Sequence, residues 1–456
     1  MRRYILPLGL SVLFFNLSYA QTVNTVRDQA AEASVETGTI AALTVIERVI
    51  EPAPPLTLKA ALELALGTNS ELAAATRELE AVEAMIVQAQ ARPNPEIATS
   101  MEDMRSATRL TKLQLSQPVE LGGKRRARIE AAERERDAAL VELGGKRAEI
   151  RATVMAAFFD VLVTQERWRL VQASLELAQR VTHTTTRRVM AGKVSPVEET
   201  KARVAEAGVR LDLMLASSDL ATARQRLVAT WGNPIPRFER AEGDPEALPP
   251  LPALADINTR LSSSPILLRA RIEVDRRQAL VQIERSQRVP DMTVSLGIQR
   301  NQDLDLNQAI LGVSIPLPIF NRNQGNVLEA LRRTDKARDE LSVAQIRLTN
   351  ELAVAYQRLD TARREVESLQ RDILPGAQSA FAAATQGFEL GKFSFLEVLD
   401  AQRTLFQFKS QYLRALSAAH QSAADIERIL GADQSAADTS PTQGLIPNPS
   451  LAPAAV

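Results

Sequence analysis

The sequence AGKVSPVE at residues 191–198 returns as LGKFSFLE at residues 390–397, at a constant offset of 199 positions. The register holds through the segments that follow both motifs, where Ala202 aligns with Ala401. A repeat of this length decides the architecture before any local pattern does, because both halves must fold as copies of one unit. The chain is therefore predicted to be a tandem duplication.

Each half carries the same order of elements: a helix, a β-hairpin, a very long helix, a tight Gly-Lys turn and a final helix. The halves are joined by a linker with six prolines, which cannot be helical throughout. The predicted segments are a first repeat at 56–231 (first helix about 56–91, hairpin 95–119, turn 191–195), a linker at 232–255, and a second repeat at 256–431 (first helix about 256–287, hairpin 290–316, turn 390–394).

The first twenty residues have the features of a secretory signal. Arg2 and Arg3 precede an apolar run at residues 5–17, and Ser18-Tyr19-Ala20 offers the small residues that signal peptidase requires. A membrane anchor is the alternative, but the run is shorter than the ~20 residues that a spanning helix needs. We expect a cleaved signal peptide at 1–20, an N-terminal tether at 21–55 and a disordered C-terminal tail at 432–456, both of the latter rich in Ala, Thr, Ser and Pro.

The composition excludes several classes of protein. Among 456 residues, 55 basic side chains balance 55 acidic ones, so there is no net field that would attract nucleic acid. The chain has no cysteine, which excludes disulfides, thiolate metal sites and a lipid-bearing cysteine at the mature N-terminus. After the signal, no segment is apolar enough to span a bilayer as a helix, so a membrane-inserted part is expected to consist of strands.

Alternating side chains predict two hairpins. In the second half, apolar residues at 292, 294, 296 and 298 alternate with small or polar ones, and the pattern returns at 311–315. Each strand is near the ~9–11 residues that a tilted membrane strand needs. A four-stranded sheet in a soluble protein is the alternative. Four strands cannot close a barrel, however, whereas three copies supply twelve, so we favour a trimer with a twelve-stranded β-barrel.

The helices predict a long coiled-coil rod or tunnel. Val154, Val161 and Trp168 begin one heptad series, and the second half carries similar series from Leu348 and Leu352. A continuous helix at residues 124–190 would be about 100 Å long at 1.5 Å per residue, with Gly144-Gly145 as a candidate interruption. A soluble coiled-coil rod would explain the heptads, but it explains neither the hairpins nor the signal. The predicted fold is therefore mainly α with a small β part.

With this order of elements and its two matching turns, the chain resembles the outer-membrane efflux protein family of the TolC type from about residue 56 to residue 431. The resemblance rests on the Gly-Lys-x-Ser turn being present at corresponding places in both halves. It implies a trimer whose β-barrel continues as an α-helical periplasmic tunnel. It also implies outer membrane lipid around the barrel, a periplasmic membrane-fusion adaptor and an inner-membrane pump of the resistance-nodulation-division type as partners.

A finer resemblance connects the chain with the heavy-metal branch of that family, the partners of cobalt-zinc-cadmium and copper-silver resistance pumps. It rests on ARPNPE at residues 91–96 and QPVELGGKR at residues 117–125. In the second motif, Pro118 is expected to end the strand, Gly122 and Gly123 to permit the bend into the helix, and the basic pair Lys124 and Arg125 to have a structural role. A second ELGGKR at residues 142–147 has no strand before it and is interpreted as coincidence.

No catalytic chemistry is visible in the sequence. His183 and His420 are isolated, and no metal-ligand spacing surrounds them. Neither an enzyme nor a resident metal or cofactor is predicted. The resemblance implies passive export, with heavy-metal cations favoured as cargo. Drug efflux, protein secretion through the same channel, and a soluble periplasmic coiled-coil scaffold remain alternatives.

By the same resemblance, the paired turns form the periplasmic tip and meet the adaptor around Arg188, Gly192, Ser195, Gly391 and Ser394. Glycine there would permit close approach of another backbone. The simpler interpretation is that both glycines only cap helices, and the two are compatible.

Glu397 and Asp400 match family carboxylates that face the lumen, and their i, i+3 spacing places both on one helix face. Three copies would bring six carboxylates near the axis and favour cations. A solvated surface pair is the alternative for these two residues.

The gate departs from the best-known family members. Those members close the entrance with a Tyr and an Arg, whereas Phe388 and Phe393 occupy the aligned positions here. The substitute hypothesis is a closed state held by packing of these two rings. Pairing of Lys193 or Lys392 with Glu198 is expected to assist it.

Overall fold

The computed structural model describes residue 51 and residues 55–103, 105, 107–244 and 246–431. The predicted signal peptide, most of the predicted tether and the predicted tail at 432–456 lie outside these residues. Within the described part, no helix is both long and apolar enough to cross a bilayer.

Long helices dominate the described residues, and each half of the chain contributes one hairpin. In chain order, the elements are β1 (Leu56–Thr57), α1 (Leu58–Thr68), α2 (Ser70–Gln90), β2 (Glu96–Glu102), β3 (Leu110–Val119), α3 (Lys124–Met190), α4 (Pro196–Ala229), β4 (Ala241–Glu242), α5 (Leu254–Ser262), α6 (Pro265–Ser286), β5 (Met292–Asn301), β6 (Leu306–Ser314), α7 (Gln324–Ser368), a π-helical turn (Leu369–Ile373), α8 (Leu374–Glu389) and α9 (Phe395–Leu430).

The two hairpins join into one antiparallel sheet of order β2-β3-β5-β6, so β2 and β6 are its edges. Ile97, Leu115, Leu296 and Leu311 are successive cross-strand partners and form one row over all four strands. Each of these side chains is between 47% and 77% exposed. The alternation seen in the sequence therefore produces an apolar face that the rest of the described residues leave exposed.

Pro118 does not end its strand, as the sequence predicted, but lies inside β3 opposite Thr293. Proline is tolerated here because β2 pairs with β3 only as far as Ser116, so the missing N–H faces no strand on that side. In the second hairpin, predicted at 290–316, β5 continues to Asn301 and β6 begins at Leu306.

The predicted heptad positions form the cores between the helices. Val154, Phe158 and Val161 of α3 pack with Leu227 and Trp231 at the end of α4. In the second half, the buried apolar positions of α7 face α9. Heptad spacing places these residues on one helix face, which is why supercoiled packing buries them together.

The first helix of each half is broken, which the sequence did not predict. Asn69 separates α1 from α2: its Oδ1 accepts from Glu71 N–H at 2.8 Å, and its Nδ2 donates to Thr230 O at 2.8 Å. In the second half, Ser264 separates α5 from α6 and donates its hydroxyl to Ile429 O at 2.6 Å. Thr230 and Ile429 are repeat equivalents, so each break supplies a side chain that caps the last helix of its own half.

Helix α3 runs unbroken through Gly144-Gly145, although glycine has low helix propensity. Gly145 lies against Pro265, with a Cβ at that position only 3.7 Å from Pro265 Cβ. Glu142 pairs with Arg269 at 3.2 Å. The second ELGGKR motif is thus part of the contact between the two halves, a role that its interpretation as coincidence did not include.

The equivalent helix of the second half is interrupted by the π-helical turn at residues 369–373. Pro375 follows at the start of α8. Proline has no N–H and crowds the carbonyl four residues earlier, so the wider turn accommodates it. The two long helices, predicted as copies, therefore differ in continuity.

Glu51 falls in the predicted tether but is tied to the linker between the repeats. Its carboxylate accepts hydrogen bonds from Trp231 Nε1 at 3.3 Å, Asn233 Nδ2 at 2.7 Å, Arg237 N–H at 2.8 Å and Phe238 N–H at 2.9 Å. Beside it, β1 and β4 form a short parallel pair. The segment before α1 is therefore part of the fold at this point.

Candidate functional site at the paired helix turns

The two Gly-Lys turns have the same backbone structure. Gly192 and Gly391 are left-handed, with φ of 67° and 72°. Lys193 N–H bonds to Arg188 O and Lys392 N–H to Gly387 O, each at 2.8 Å, which is the hydrogen-bond pattern of a Schellman motif. Glycine is required at the left-handed position, so the repeated Gly-Lys sequence ends one helix in each half.

The helices that leave the turns are capped differently. Ser195 Oγ accepts from Val197 N–H at 3.3 Å. In the second half, Glu397 Oε2 accepts from Ser394 N–H at 2.6 Å and from Ser394 Oγ at 2.9 Å. These two bonds hold the pKa of Glu397 below its usual range. The bond from the backbone N–H contributes more than the bond from the hydroxyl. Glu397 is therefore a capping residue that stays ionised in mildly acidic solution.

The sequence signal for this cap was Ser-x-x-Glu at residues 394–397, the capping-box pattern, which the sequence analysis overlooked. Asp400 lies one helical turn further on α9 and is exposed. Both carboxylates predicted for the pore entrance are thus at the start of α9.

Arg188 joins the two turns. Its Nη2 donates to Phe388 O at 2.9 Å, and its guanidinium carbon lies 4.3 Å from the centre of the Phe388 ring. Phe388 is 7% exposed and belongs to a core with Val181, Ala202 and Val398. A planar guanidinium can stack on a ring and at the same time donate a hydrogen bond to a carbonyl. The ammonium group of lysine has no plane with which to stack. Arg188, predicted as an adaptor contact, thus also forms an intramolecular link.

A cleft of about 420 Å³ lies between the turns. Its lining includes four predicted gate residues, Phe388, Phe393, Lys193 and Glu198. It also includes Thr185, which is 2% exposed and whose hydroxyl has no hydrogen-bond partner among the described residues. Thr185 could not be singled out from the sequence, because it lies in a run of threonines without a recognisable pattern.

Phe393 is 44% exposed, and its ring covers Gly387. A Cβ at Gly387 would lie 2.2 Å from Phe393 Cδ2, so only glycine admits the ring. The predicted pairing of Glu198 with Lys193 or Lys392 is not formed within the described part of the chain. Lys201 lies three residues along the same helix and pairs with Glu198 at 3.5 Å instead.

The bend from strand to helix is a second cluster of predicted residues. Gly122 and Gly123 are left-handed, with φ of 70° and 75°. A Cβ at Gly122 would lie 2.7 Å from Val289 Cβ, so the chain before β5 packs directly on the bend. Arg125 Nε donates to Gln90 O at 2.8 Å and caps the end of α2.

Lys124 is buried at the first turn of α3, and its Nζ lies 2.7 Å from Asp291 Oδ1. Burial pushes the pKa of Asp291 upward, but the bonds from Lys124 and the Leu121 N–H, with the charges of Lys124 and Arg128, outweigh burial and hold this pKa below its usual range. The Lys-Arg pair of the motif therefore connects α2, α3 and β5, and it is not a solvated helix face.

Within the described residues, no three His, Asp or Glu side chains are grouped so that they could hold a metal ion. The turns offer hydrogen-bonding and apolar contacts at one end of the paired helices.

Comparison with known proteins yields one family. The model of the outer membrane efflux protein family matches residues 61–233 and 257–432. The cobalt-zinc-cadmium resistance protein CzcC of Cupriavidus metallidurans is 49% identical over 431 residues, which cover 94% of this chain and 100% of that protein. The nickel-cobalt-cadmium resistance protein NccC of Alcaligenes xylosoxydans xylosoxydans is 26% identical over 70% of this chain and 69% of its own length. The crystal structure of CusC superposes with a TM-score of 0.70 at 20% identity, covering 82% of this chain and 92% of that one.

Proposed function

The chain belongs to the outer membrane efflux protein family, and from this premise we propose that three copies form one channel that exports heavy-metal cations. The protein is an efflux channel of the outer membrane that extends into the periplasm. The proposal concerns the assembly, the cargo and the partners.

The trimeric assembly is proposed from one observation, which is that the four-stranded sheet is open at both edges and exposes an apolar face. In a bilayer, the unpaired N–H and C=O groups of β2 and β6 would be costly, and closing the sheet with other copies satisfies them. Three copies of four strands give a twelve-stranded barrel, above the minimum of about eight. Outward-facing Leu296 and Leu311 then contact outer membrane lipid.

The helices support the same assembly. Val343 and Ile346 on α7 are 64% and 67% exposed, and Val204 and Leu211 on α4 are 67% and 53% exposed. Exposed apolar side chains at such regular spacing indicate helix faces that pack on another copy. A ring of three chains joins these faces and continues the barrel as a helical tunnel about 100 Å long, the length of α3.

The metal cargo is proposed from CzcC, because this chain covers that cobalt-zinc-cadmium resistance protein in full at 49% identity. The acidic start of α9 fits such a cargo. Glu397 and Asp400 of three copies would supply six carboxylates at the entrance, and the hydrogen bonds from Ser394 that lower the pKa of Glu397 favour its charged form. The channel itself does no catalytic work; an inner-membrane pump of the resistance-nodulation-division type drives the export.

The paired turns are the proposed docking site of a periplasmic adaptor. Met190 and Leu390, at the ends of the helices entering the turns, are 82% and 64% exposed. The left-handed Gly192 and Gly391 leave the backbone open to a close approach, since no atom lies within 4 Å of a Cβ built on either. Ser195 and Ser394 border the same surface. The Arg188 link between the turns is the proposed lock of the closed entrance.

Growth of a deletion strain tests the function. The strain, with and without the restored gene, is grown on zinc, cobalt, cadmium, nickel, copper and silver salts and, in parallel, on drugs and detergents. We expect sensitivity confined to metals and rescued by the gene. Sensitivity confined to drugs would contradict the cargo and keep the channel. Recovery of the protein in the salt-washed soluble fraction would instead indicate a periplasmic scaffold.

A further inference from the structure

The loop after β6 exposes apolar side chains that the channel proposal does not use. Between Ser314 and α7, this junction loop is rich in proline and aliphatic residues. Its exposed apolar members are Ile315 (48%), Leu317 (78%), Ile319 (60%) and Phe320 (90%). A phenylalanine exposed to this extent has almost no contact with the described residues of its own chain, and a contiguous exposed apolar patch of this kind marks an interaction surface.

At the same end of the sheet, an apolar cleft of about 600 Å³ lies between α2, α3 and α6. Its aliphatic side chains are Val82, Met85, Leu280 and Ile283. Two ion pairs, Glu120 with Arg128 and Glu135 with Arg276, also line it. Arg92 and Pro93, which lie three to four residues before the start of β2 at Glu96, form part of its lining. Met85 is 60% exposed, so the cleft is open in the single chain.

We propose that Phe320 of one copy, followed by Ile319, inserts into this cleft of the next copy. The inference rests on the proposed trimer and adds the side chain and the pocket that fasten neighbouring copies below the barrel.

The topology brings the two features together. In a closed ring, β6 of one copy pairs with β2 of the next, antiparallel, as the remaining strands of the sheet pair. The helix-side end of β6 is Ser314 and that of β2 is Glu96. The junction loop of one copy therefore leaves the sheet beside residues 92–95 of the next copy, of which Arg92 and Pro93 line the cleft.

The distances permit the contact. Phe320 lies six residues after Ser314, a reach of up to about 20 Å, while Pro93 lies three residues before Glu96, within about 10 Å of it. Paired strands are only about 4.8 Å apart. Within its own chain, the base of the loop is held in place, since Asn323 Nδ2 donates to Glu284 O at 2.8 Å and to its Oε2 at 2.7 Å. Phe320 thus lies three residues before a position that is fixed by hydrogen bonds to α6.

The chemistry also fits. An aromatic side chain that fills an apolar pocket is typical of the few residues that dominate the affinity of an interface. The contact is heterologous, because one copy supplies the pocket and the next supplies the side chain. It can therefore repeat at each interface of a closed ring, as the pairing of the sheet edges does.

Disulfide crosslinking tests the contact, because the chain has no cysteine of its own. The full-length protein carrying both Phe320→Cys and Met85→Cys is expressed in its native membrane, where the periplasm supports disulfide formation. We expect species of two and three chain masses on non-reducing gels that return to one mass on reduction. Leu304→Cys with Met85→Cys is the matched control, since Leu304 is also exposed (59%) but lies at the opposite end of the hairpin.

A second cysteine pair separates this inference from the trimer itself. Ile97→Cys combined with Leu311→Cys or Val313→Cys reports whether β2 of one copy meets β6 of another. Crosslinks between β2 and β6 of neighbouring copies, without crosslinks at Phe320, would overturn the inference and leave the trimer in place. Crosslinks at neither place would contradict both. Reaction of the Phe320→Cys thiol with a lipid-soluble maleimide in the assembled protein would assign the side chain to the membrane and would also overturn the inference.

The association of purified copies gives an independent measurement. Phe320→Ala should weaken trimer formation at least about tenfold, with Phe320→Leu restoring part of it, while the fold of each chain stays intact because the ring is exposed there. Association of Phe320→Ala equal to that of Leu304→Ala would refute the contact.

Discussion

Replacing Arg188 by alanine should open the periplasmic entrance. The change removes a hydrogen bond from a charged donor to Phe388 O, at 2.9 Å, and the stacking of the guanidinium 4.3 Å above the Phe388 ring. A bond to a charged group contributes about 1.5–3 kcal/mol, and stacking at a half-exposed site adds about 0.5–1 kcal/mol. Because Arg188 is only half-buried, we take about 2 kcal/mol per chain, or roughly 30-fold in the ratio of joined to separated turns.

The measurement is single-channel conductance of the purified protein in planar bilayers, without adaptor. Arg188→Ala should spend more time in high-conductance states than the wild type. If the three links of a trimer break in one concerted step, the shift in the opening equilibrium has an upper limit of roughly 3 × 10⁴-fold. In cells, entry of a large antibiotic that the outer membrane normally excludes should increase in parallel.

Arg187→Ala is the matched control, because Arg187 is the exposed neighbour and its loss changes the charge of the tip equally. Arg188→Lys keeps the charge and loses the planar stacking, so an intermediate effect is expected. Equal conductance of Arg188→Ala and Arg187→Ala would refute the lock.

Three further substitutions test the structure. Glu51→Ala leaves four donors without their acceptor, one of them on the buried Trp231, and should lower the free energy of unfolding by about 2–4 kcal/mol, measured as a lower thermal midpoint. Gly387→Ala places a Cβ 2.2 Å from the Phe393 ring and should displace that ring, seen as faster tryptic cleavage after Lys392. Asp291→Asn leaves the Lys124 ammonium unpaired and should cost about 2 kcal/mol at neutral pH, a value discounted because Asp291 is partly exposed. The pKa of Asp291 is lower in the folded than in the unfolded state. The difference in unfolding free energy between wild type and Asp291→Asn should therefore be fully present above pH ~4 and disappear as the pH falls through the folded-state pKa.

Each of these has its own control. Glu51→Gln keeps one acceptor oxygen and should lose less stability than the alanine variant. Gly376→Ala lies on the same helix as Gly387 in open space, so cleavage at the tip should not change. Asp303→Asn removes an exposed carboxylate at a hairpin tip, and its effect should be small at every pH. A pH dependence of Asp303→Asn equal to that of Asp291→Asn would contradict the role of the Lys124 pair.

The sequence predicted the mainly helical fold, the two hairpins and the family because their signals are local and occur twice. The 67 residues of α3 were predicted at the bounds that the structure has, since Gly123 and the Gly-Lys turn mark both ends. The capping role of Glu397 was also present in the sequence as Ser-x-x-Glu, although it was interpreted only as a pore carboxylate.

Contacts between distant segments could not be predicted in this way. Asn69 and Ser264 break helices because each reaches a carbonyl more than 160 residues away, at Thr230 and Ile429. The bond from Arg188 to Phe388 O joins segments 200 residues apart.

Helix and strand periodicity, turn glycines and the repeat are encoded within a few residues of one another, so the sequence by itself determined the elements and their order. The partner of Arg188, the pairing of Lys124 with Asp291 and the acceptor role of Glu51 depend on which segments meet after folding. Only the tertiary structure decided these contacts, because the free energy of a hydrogen bond or ion pair depends on the distance and burial of both partners, and neither is set by the local sequence of one of them.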